Sequence, residues 1–280
     1  LEQPCIYHRI TSKGYKINMK VEQIAVTNRN ICYELYLQAH LTSTEDTPLS
    51  CLARQIRALI NLDSFDKILV REKDLSENEY WNLITDIFSS QHLNLPVTDS
   101  ASMAAIPAKG AYSDKYTSVT SRIILHNFPT VAEEFATDLH LPFSIFTNLF
   151  DLNDTSSNYQ ISVQSNTCMA DFRSKYPHIQ RIGTSIHSVE DAIFAEKHGA
   201  NYITAGHIFA TDCKKGLPGR GIDWLRTICD AVSIPVYAIG GISDANVSLL
   251  TDSPIAGYCM MSESMRPILS SGYSSARLST

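Results

Sequence analysis

The chain has 280 residues, 44% of them hydrophobic, and carries 23 Lys and Arg against 29 Asp and Glu for a formal net charge of −6. That length suits one α/β barrel of about 250 residues, and the negative balance argues against nucleic acid or an anionic membrane as partner. No apolar run approaches the roughly 18–20 residues that span a bilayer, and the first residues lack the basic-then-apolar layout of a signal peptide, so a cytoplasmic protein is expected.

The elements follow in chain order from β-branched and aliphatic runs. Strands are predicted at 22–28 (EQIAVTN), 66–71 (DKILVR), 121–126 (SRIILH) and, more weakly, 137–141 (TDLHL). Four more are predicted at about 179–184, then 200–206, 234–239 and 255–260. Helical patterns follow most of them, at Cys51–Ile60, Ser76–Phe88, Val189–His198 and Ile222–Ala231. Ser188 ahead of Glu190 and Asp191 reads as an N-cap with acid in the first turn, where the helix dipole favours it. Eight β-then-α units predict a single-domain TIM (β/α)8 barrel over residues 21–280, not an open doubly wound sheet.

Three stretches exceed a barrel's needs. Residues 1–20 read as an N-terminal extension, and 92–118 as an insertion near the face away from the strand C-termini. The stretch 144–166, a βα loop carrying aromatics, is expected to form a partial lid on the opposite face, onto which 30–49 also opens. The cysteines at 5, 32, 51, 168, 213, 229 and 259 contain no CxxC pair, which favours reduced thiols over disulfides or structural zinc. Cys229 and Cys259 sit in apolar patterns and are expected in the core.

In such a barrel the chemistry gathers where the strands end. Gly240 and Gly241 end strand seven and Ser262 ends strand eight, a place where backbone N–H groups can approach a phosphate closely. The plainer reading of the glycines is a tight turn. The loop after strand six runs from His207 to Gly221 and holds Thr211, Asp212, Lys214, Lys215 and Arg220. Arg71 ends strand two with Lys73 close by, offering cations to a carboxylate or phosphate unless Arg71 pairs with Glu72. Ser185 and His187 follow strand five, while His126 and His140 end strands three and four. No HxH or carboxylate spacing makes these histidines a zinc site.

The string GHIFATDCKKGLPGRG from Gly206 to Gly221, with its surroundings in 182–262, resembles the superfamily that pairs thiamine phosphate synthases with thiazole tautomerases of the TenI type. The likeness is close over 172–262, looser over strands two to eight, and absent from 1–20, 92–118 and 144–166. It implies a small thiazole phosphate as ligand, its phosphate held by Gly240, Gly241 and Ser262. Related barrels are often homodimers.

The two branches differ in chemistry. Synthases couple a pyrimidine pyrophosphate to a thiazole phosphate, using Mg²⁺ held by aspartates after strands three and four. Here those places read Leu125-His126-Asn127 and His140-Leu141-Pro142-Phe143-Ser144, with no acid before Asp151. Leu69 stands where a synthase has glutamine two residues before the barrel arginine, and Gly206-His207 stands for Gly-Pro. Together with Gly206-His207-Ile208-Phe209, these departures point to the tautomerase branch, which aromatises a carboxylated thiazole phosphate by proton transfer with no metal or other cofactor. A neutral histidine with a pKa of about 6.5 suits that task. His207 is the expected acid–base and His187 the second choice. Arg71, Lys73, His126, Ser185, Thr211 and Lys214 are the expected substrate contacts. A Mg²⁺-dependent synthase is the alternative, and a non-catalytic phosphate-ligand regulator a third reading.

Overall fold

Eight parallel strands close on themselves in the computed structural model of the chain, which describes residues 6–10, 16–89, 118–149, 168–211 and 216–268. A hairpin of β1 (Ile6–Ile10) and β2 (Lys16–Lys20) precedes them. The barrel strands are β3 (Glu22–Val26), β4 (Lys67–Val70), β5 (Ile123–His126), β6 (Asp138–Leu141), β7 (Ile182–Ile186), β8 (Tyr202–Gly206), β9 (Val236–Ile239) and β10 (Gly257–Met260). They pair in sequence order, and β10 returns to β3 with Gly257 beside Glu22 and Met260 beside Ala25. This is the TIM barrel expected from the sequence, with every predicted strand in place.

Side-chain alternation sorts the strands' residues into two cores. Ile24, Val26, Leu69, Ile124, Tyr202, Tyr237 and Cys259 fill the barrel interior. Their neighbours Ala25, Ile68, Val70, Ile123 and Leu125 face the surrounding helices. With both faces buried, the strands read as continuous apolar runs instead of alternating ones. Gly183 is what admits the Tyr202 ring to the interior, since a Cβ there would lie 2.1 Å from Tyr202 Cζ.

The helices are α1 (Arg29–Gln38), α2 (Pro48–Leu62), α3 (Glu77–Phe88), α4 (Pro129–Glu134), α5 (Phe143–Asn148), α6 (Cys168–Lys175), α7 (Val189–Lys197) and α8 (Gly221–Ala231). Their starts are written locally. Thr47 and Ser50 form a capping box ahead of α2, as do Ser76 and Glu79 ahead of α3. Ser188 caps α7 by accepting from the Asp191 N–H, with Glu190 and Asp191 in the first turn as predicted. Among the described residues no helix is long and apolar enough to cross a membrane.

One stretch differs from its reading as a loop. Residues 30–49 contain most of α1, whose N-cap Asn28 accepts from the N–H groups of Asn30 and Ile31. Residues 1–20 contain the β1–β2 hairpin. Of the expected lid at 144–166, the first part belongs to α5. Its remainder from 150 on, and the 92–118 insertion up to 117, lie outside the described residues. Cys32, Cys51 and Cys259 are buried free thiols, and Cys229 is partly buried and packed against the outer core.

Candidate active site at the mouth of the barrel

A cavity of about 200 Å³ opens at the C-terminal ends of the strands. Its polar rim brings together Arg71 after β4, Ser185 on β7, His187 after it, and His207 and Thr211 after β8. Gly240, Gly241 and Ser262 close the other side, over an apolar floor that includes Val26, Ile239, Cys259 and Met261. Eight of the residues singled out from the sequence therefore meet in one hollow. Burial pushes the Cys259 thiol up to about 12, so it lies on the floor protonated.

The glycine side is shaped by contact. Gly240 and Gly241 have φ of 103° and 67°, backbone conformations that side chains rarely adopt. The chain after β8 lies directly on this turn: Ile208 N–H donates to Ile239 O at 3.1 Å and Phe209 N–H to Gly240 O at 3.0 Å. A Cβ on Gly241 would sit 2.3 Å from the Ala210 carbonyl oxygen. Among the described residues the N–H groups of Gly240 and Gly241 donate to no backbone carbonyl, which suits a phosphate acceptor. Asn246, overlooked in the sequence, braces the turn. Its Oδ1 accepts from Ser243 N–H at 2.9 Å and its Nδ2 donates to Gly241 O at 2.8 Å. The readable signal was Asn three residues after Ser243, a spacing at which a short polar side chain reaches back to the earlier backbone N–H.

His207 is only 7% exposed. Its Nε2 lies 3.0 Å from the Pro218 carbonyl oxygen. A carbonyl can only accept, so a neutral ring carries its proton on Nε2 and keeps the lone pair on Nδ1. That Nδ1 is buried and has no hydrogen-bond partner. The ring thus performs one loop-holding task while keeping a nitrogen unused.

Beside Arg71, the carboxylate of Glu72 is turned away from the cavity. It accepts from Thr27 Oγ1 at 2.6 Å and from Arg29 Nη1 at 3.2 Å. Burial raises its pKa, against the pull of those partners. The pairing of Arg71 with Glu72 considered above is therefore replaced by Arg29 with Glu72, and Arg71 lines the cavity. Lys73 is exposed and stands outside the lining residues. Lys214 lies outside the described residues. Arg220 stacks over Trp224 at 4.7 Å and its Nη1 donates to the His187 carbonyl, tying the loop after β8 to that after β7.

Beneath the rim lies a buried imidazole and hydroxyl cluster. His126 and His140 are paired across β5 and β6, rings 6.3 Å apart. Burial first, then His140 in the case of His126, and the positive charge of Arg71 in both, push their pKa values down to about 2 and about 3. His140 Nε2 lies 2.9 Å from Ser185 Oγ and its Nδ1 lies 3.3 Å from Tyr202 Oη. Thr204 Oγ1 donates to Ser185 Oγ at 3.0 Å. Of this cluster, His126 does not line the cavity.

Residues 163–263 match the family described as thiamine monophosphate synthase. The thiamine-phosphate synthase of Pyrococcus abyssi is 44% identical over 84 residues, 30% of this chain and 41% of that protein. Thiamine-phosphate synthase 2 of Streptococcus pneumoniae is 40% identical over 85 residues, 30% of this chain and 40% of that one. The chain thus spans about two fifths of the length of these curated relatives. The solved thiamine phosphate pyrophosphorylase from Pyrococcus furiosus superposes with a TM-score of 0.53 at 19% identity, covering 88% of both chains. That likeness concerns the fold.

Proposed function

We propose that this chain, which belongs to the thiamine phosphate synthase/TenI superfamily, holds a thiazole phosphate at its barrel mouth and isomerises it by proton transfer through His207. The relatives carry the synthase name, and by that measure the coupling of a pyrimidine pyrophosphate to the thiazole phosphate has the wider support. The matched segment 163–263, however, spans the phosphate end that both chemistries share. It omits the ends of β5 and β6, where they part.

Those ends bear on the magnesium that coupling requires. Magnesium takes hard oxygen ligands in octahedral array, carboxylates above all. The described donors there are the imidazoles of His126 and His140 and the amide of Asn127. Among the described residues no three His, Cys, Asp or Glu side chains converge as a metal would need. These residues do not fit magnesium.

The observation that carries the isomerase reading is the unpartnered Nδ1 of a ring that lines the cavity. In this reading the imidazole takes a proton from a ring carbon of the thiazole tautomer and the exocyclic carbon regains one, with no change of oxidation state. Gly240, Gly241 and Ser262 hold the phosphate, and Arg71 and Ser185 meet the acceptor groups at the other end. Because Nδ1 is covered, the ring must shift as substrate seats, a tightening common between free and bound sites.

The test is to offer the purified chain each substrate set and follow products by mass spectrometry with and without EDTA. Conversion of the tautomer to carboxythiazole phosphate, unaffected by EDTA, is expected. Mg²⁺-dependent thiamine phosphate formation would replace this reading with the synthase. Ligand binding with neither product would leave the regulator.

A further inference from the structure

The cluster beneath the rim can be solved as a hydrogen-bond count. A hydroxyl has one donor and two acceptor lone pairs, and a neutral imidazole has one of each. Burial holds His140 neutral. Tyr202 is 1% exposed, and His140 Nδ1 is the one acceptor that its hydroxyl meets among the described residues. A buried phenol whose proton finds no acceptor bears the full cost of desolvation. The phenol therefore donates to Nδ1, and the ring proton lies on Nε2, aimed at Ser185 Oγ. Thr204, 2% exposed, also donates to Ser185 Oγ. Both lone pairs of Ser185 are then filled from below. With Thr204 as the donor of that pair, the Ser185 proton is directed to the cavity that Ser185 lines.

We propose that Tyr202 and His140 are positioning residues that lock the Ser185 hydroxyl as a donor into the cavity, so that the ligand must present an acceptor oxygen to it. With the Arg71 guanidinium on the same rim, the chemistry that fits is a carboxylate. Ser185 is on this account neither base nor nucleophile, because its lone pairs are occupied. The assignment rests on reading this cavity as the thiazole phosphate site.

The test has two readouts. In the wild-type protein, ¹⁵N NMR of His140 is expected to show a protonated Nε2 and a bare Nδ1, and the opposite tautomer overturns the lock whatever binds. Calorimetry then uses two probes, carboxythiazole phosphate and the same thiazole phosphate without its carboxylate. Tyr202→Phe keeps the ring and removes the hydroxyl, and should weaken the carboxylated probe roughly tenfold or more while changing the other little. Ser185→Ala should do the same, and serves if Tyr202→Phe fails to fold. Equal weakening of both probes by these variants overturns the assignment. Failure of the wild type to bind either probe would instead sink the site reading, with the tautomer still deciding the lock.

Discussion

Gly240 and His207 share one place in the barrel mouth: a Cβ built on Gly240 would lie 2.8 Å from both Cα and Cβ of His207. The glycine turn proposed to hold phosphate and the proposed acid–base residue are therefore one mechanical unit. A phosphate seated on the glycine turn sets the distance between the ligand ring and the imidazole.

Replacing Gly240 by Ala should disturb both at once. The left-handed backbone costs a side chain about 1–2 kcal/mol, and overpacking adds about 1–3 kcal/mol. Gly216, with φ of 82° and nothing within 4 Å of its built Cβ, supplies the control that bears only the first cost. Thermal unfolding should rank Gly216→Ala above Gly240→Ala, and only the latter should lose turnover. Equal melting of the two would mean the contact with His207 is easily relaxed.

The phosphate assignment is tested at Ser262, which is exposed at the cavity rim. Two unit charges at about 4 Å repel by roughly 4 kcal/mol at an effective dielectric near 20. Solvent reduces this, so Ser262→Asp is expected to weaken thiazole phosphate binding at least tenfold without loss of fold. Unchanged affinity by calorimetry would move the phosphate elsewhere. Gly241→Asp is the poorer variant, because its Cβ would meet the Ala210 carbonyl at 2.3 Å.

Acid should destabilise the barrel through His126 and His140. Their folded pKa values of about 2 and about 3 lie far below the ordinary 6.5, with burial the first cause. Between about pH 6.5 and pH 3 the unfolded chain takes up protons that the folded chain refuses, so stability rises with pH and is fully present above 6.5. Each histidine contributes a slope of up to about 1.4 kcal/mol per pH unit. Urea midpoints should fall from pH 7 to pH 5, and less steeply in His126→Phe. A wild-type midpoint that does not move over that range would contradict the buried neutral pair.

The strands were legible because a barrel strand is buried on both faces, so runs such as Lys67–Val70 and Ile123–His126 stand out as apolar blocks. The rim residues were legible because they follow those blocks directly. Helix α1 was not, although Ile31, Cys32, Leu35 and Tyr36 recur at helical spacing, since only Cys32 and Tyr36 of its ten residues are buried and its Ile, Cys and Tyr residues have low helix propensity. The Asn28 cap was its one clear signal. The Tyr202–His140–Ser185 chain was hidden for another reason. It joins three strands whose pairing brings Tyr202 against His140, 62 residues away, and His140 against Ser185, 45 residues away, a relation that spacing along the chain does not express. Glu72 turning to Arg29 was hidden likewise.

The account stands most directly on the turnover of His207→Gln. A general acid–base contributes about 10²–10⁴-fold, so steady-state kinetics on the thiazole phosphate tautomer should show kcat lower by that factor with product affinity little changed. A histidine that only holds the Pro218 carbonyl would instead give a raised KM and a lower melting temperature together, and kcat near wild type would contradict the central claim.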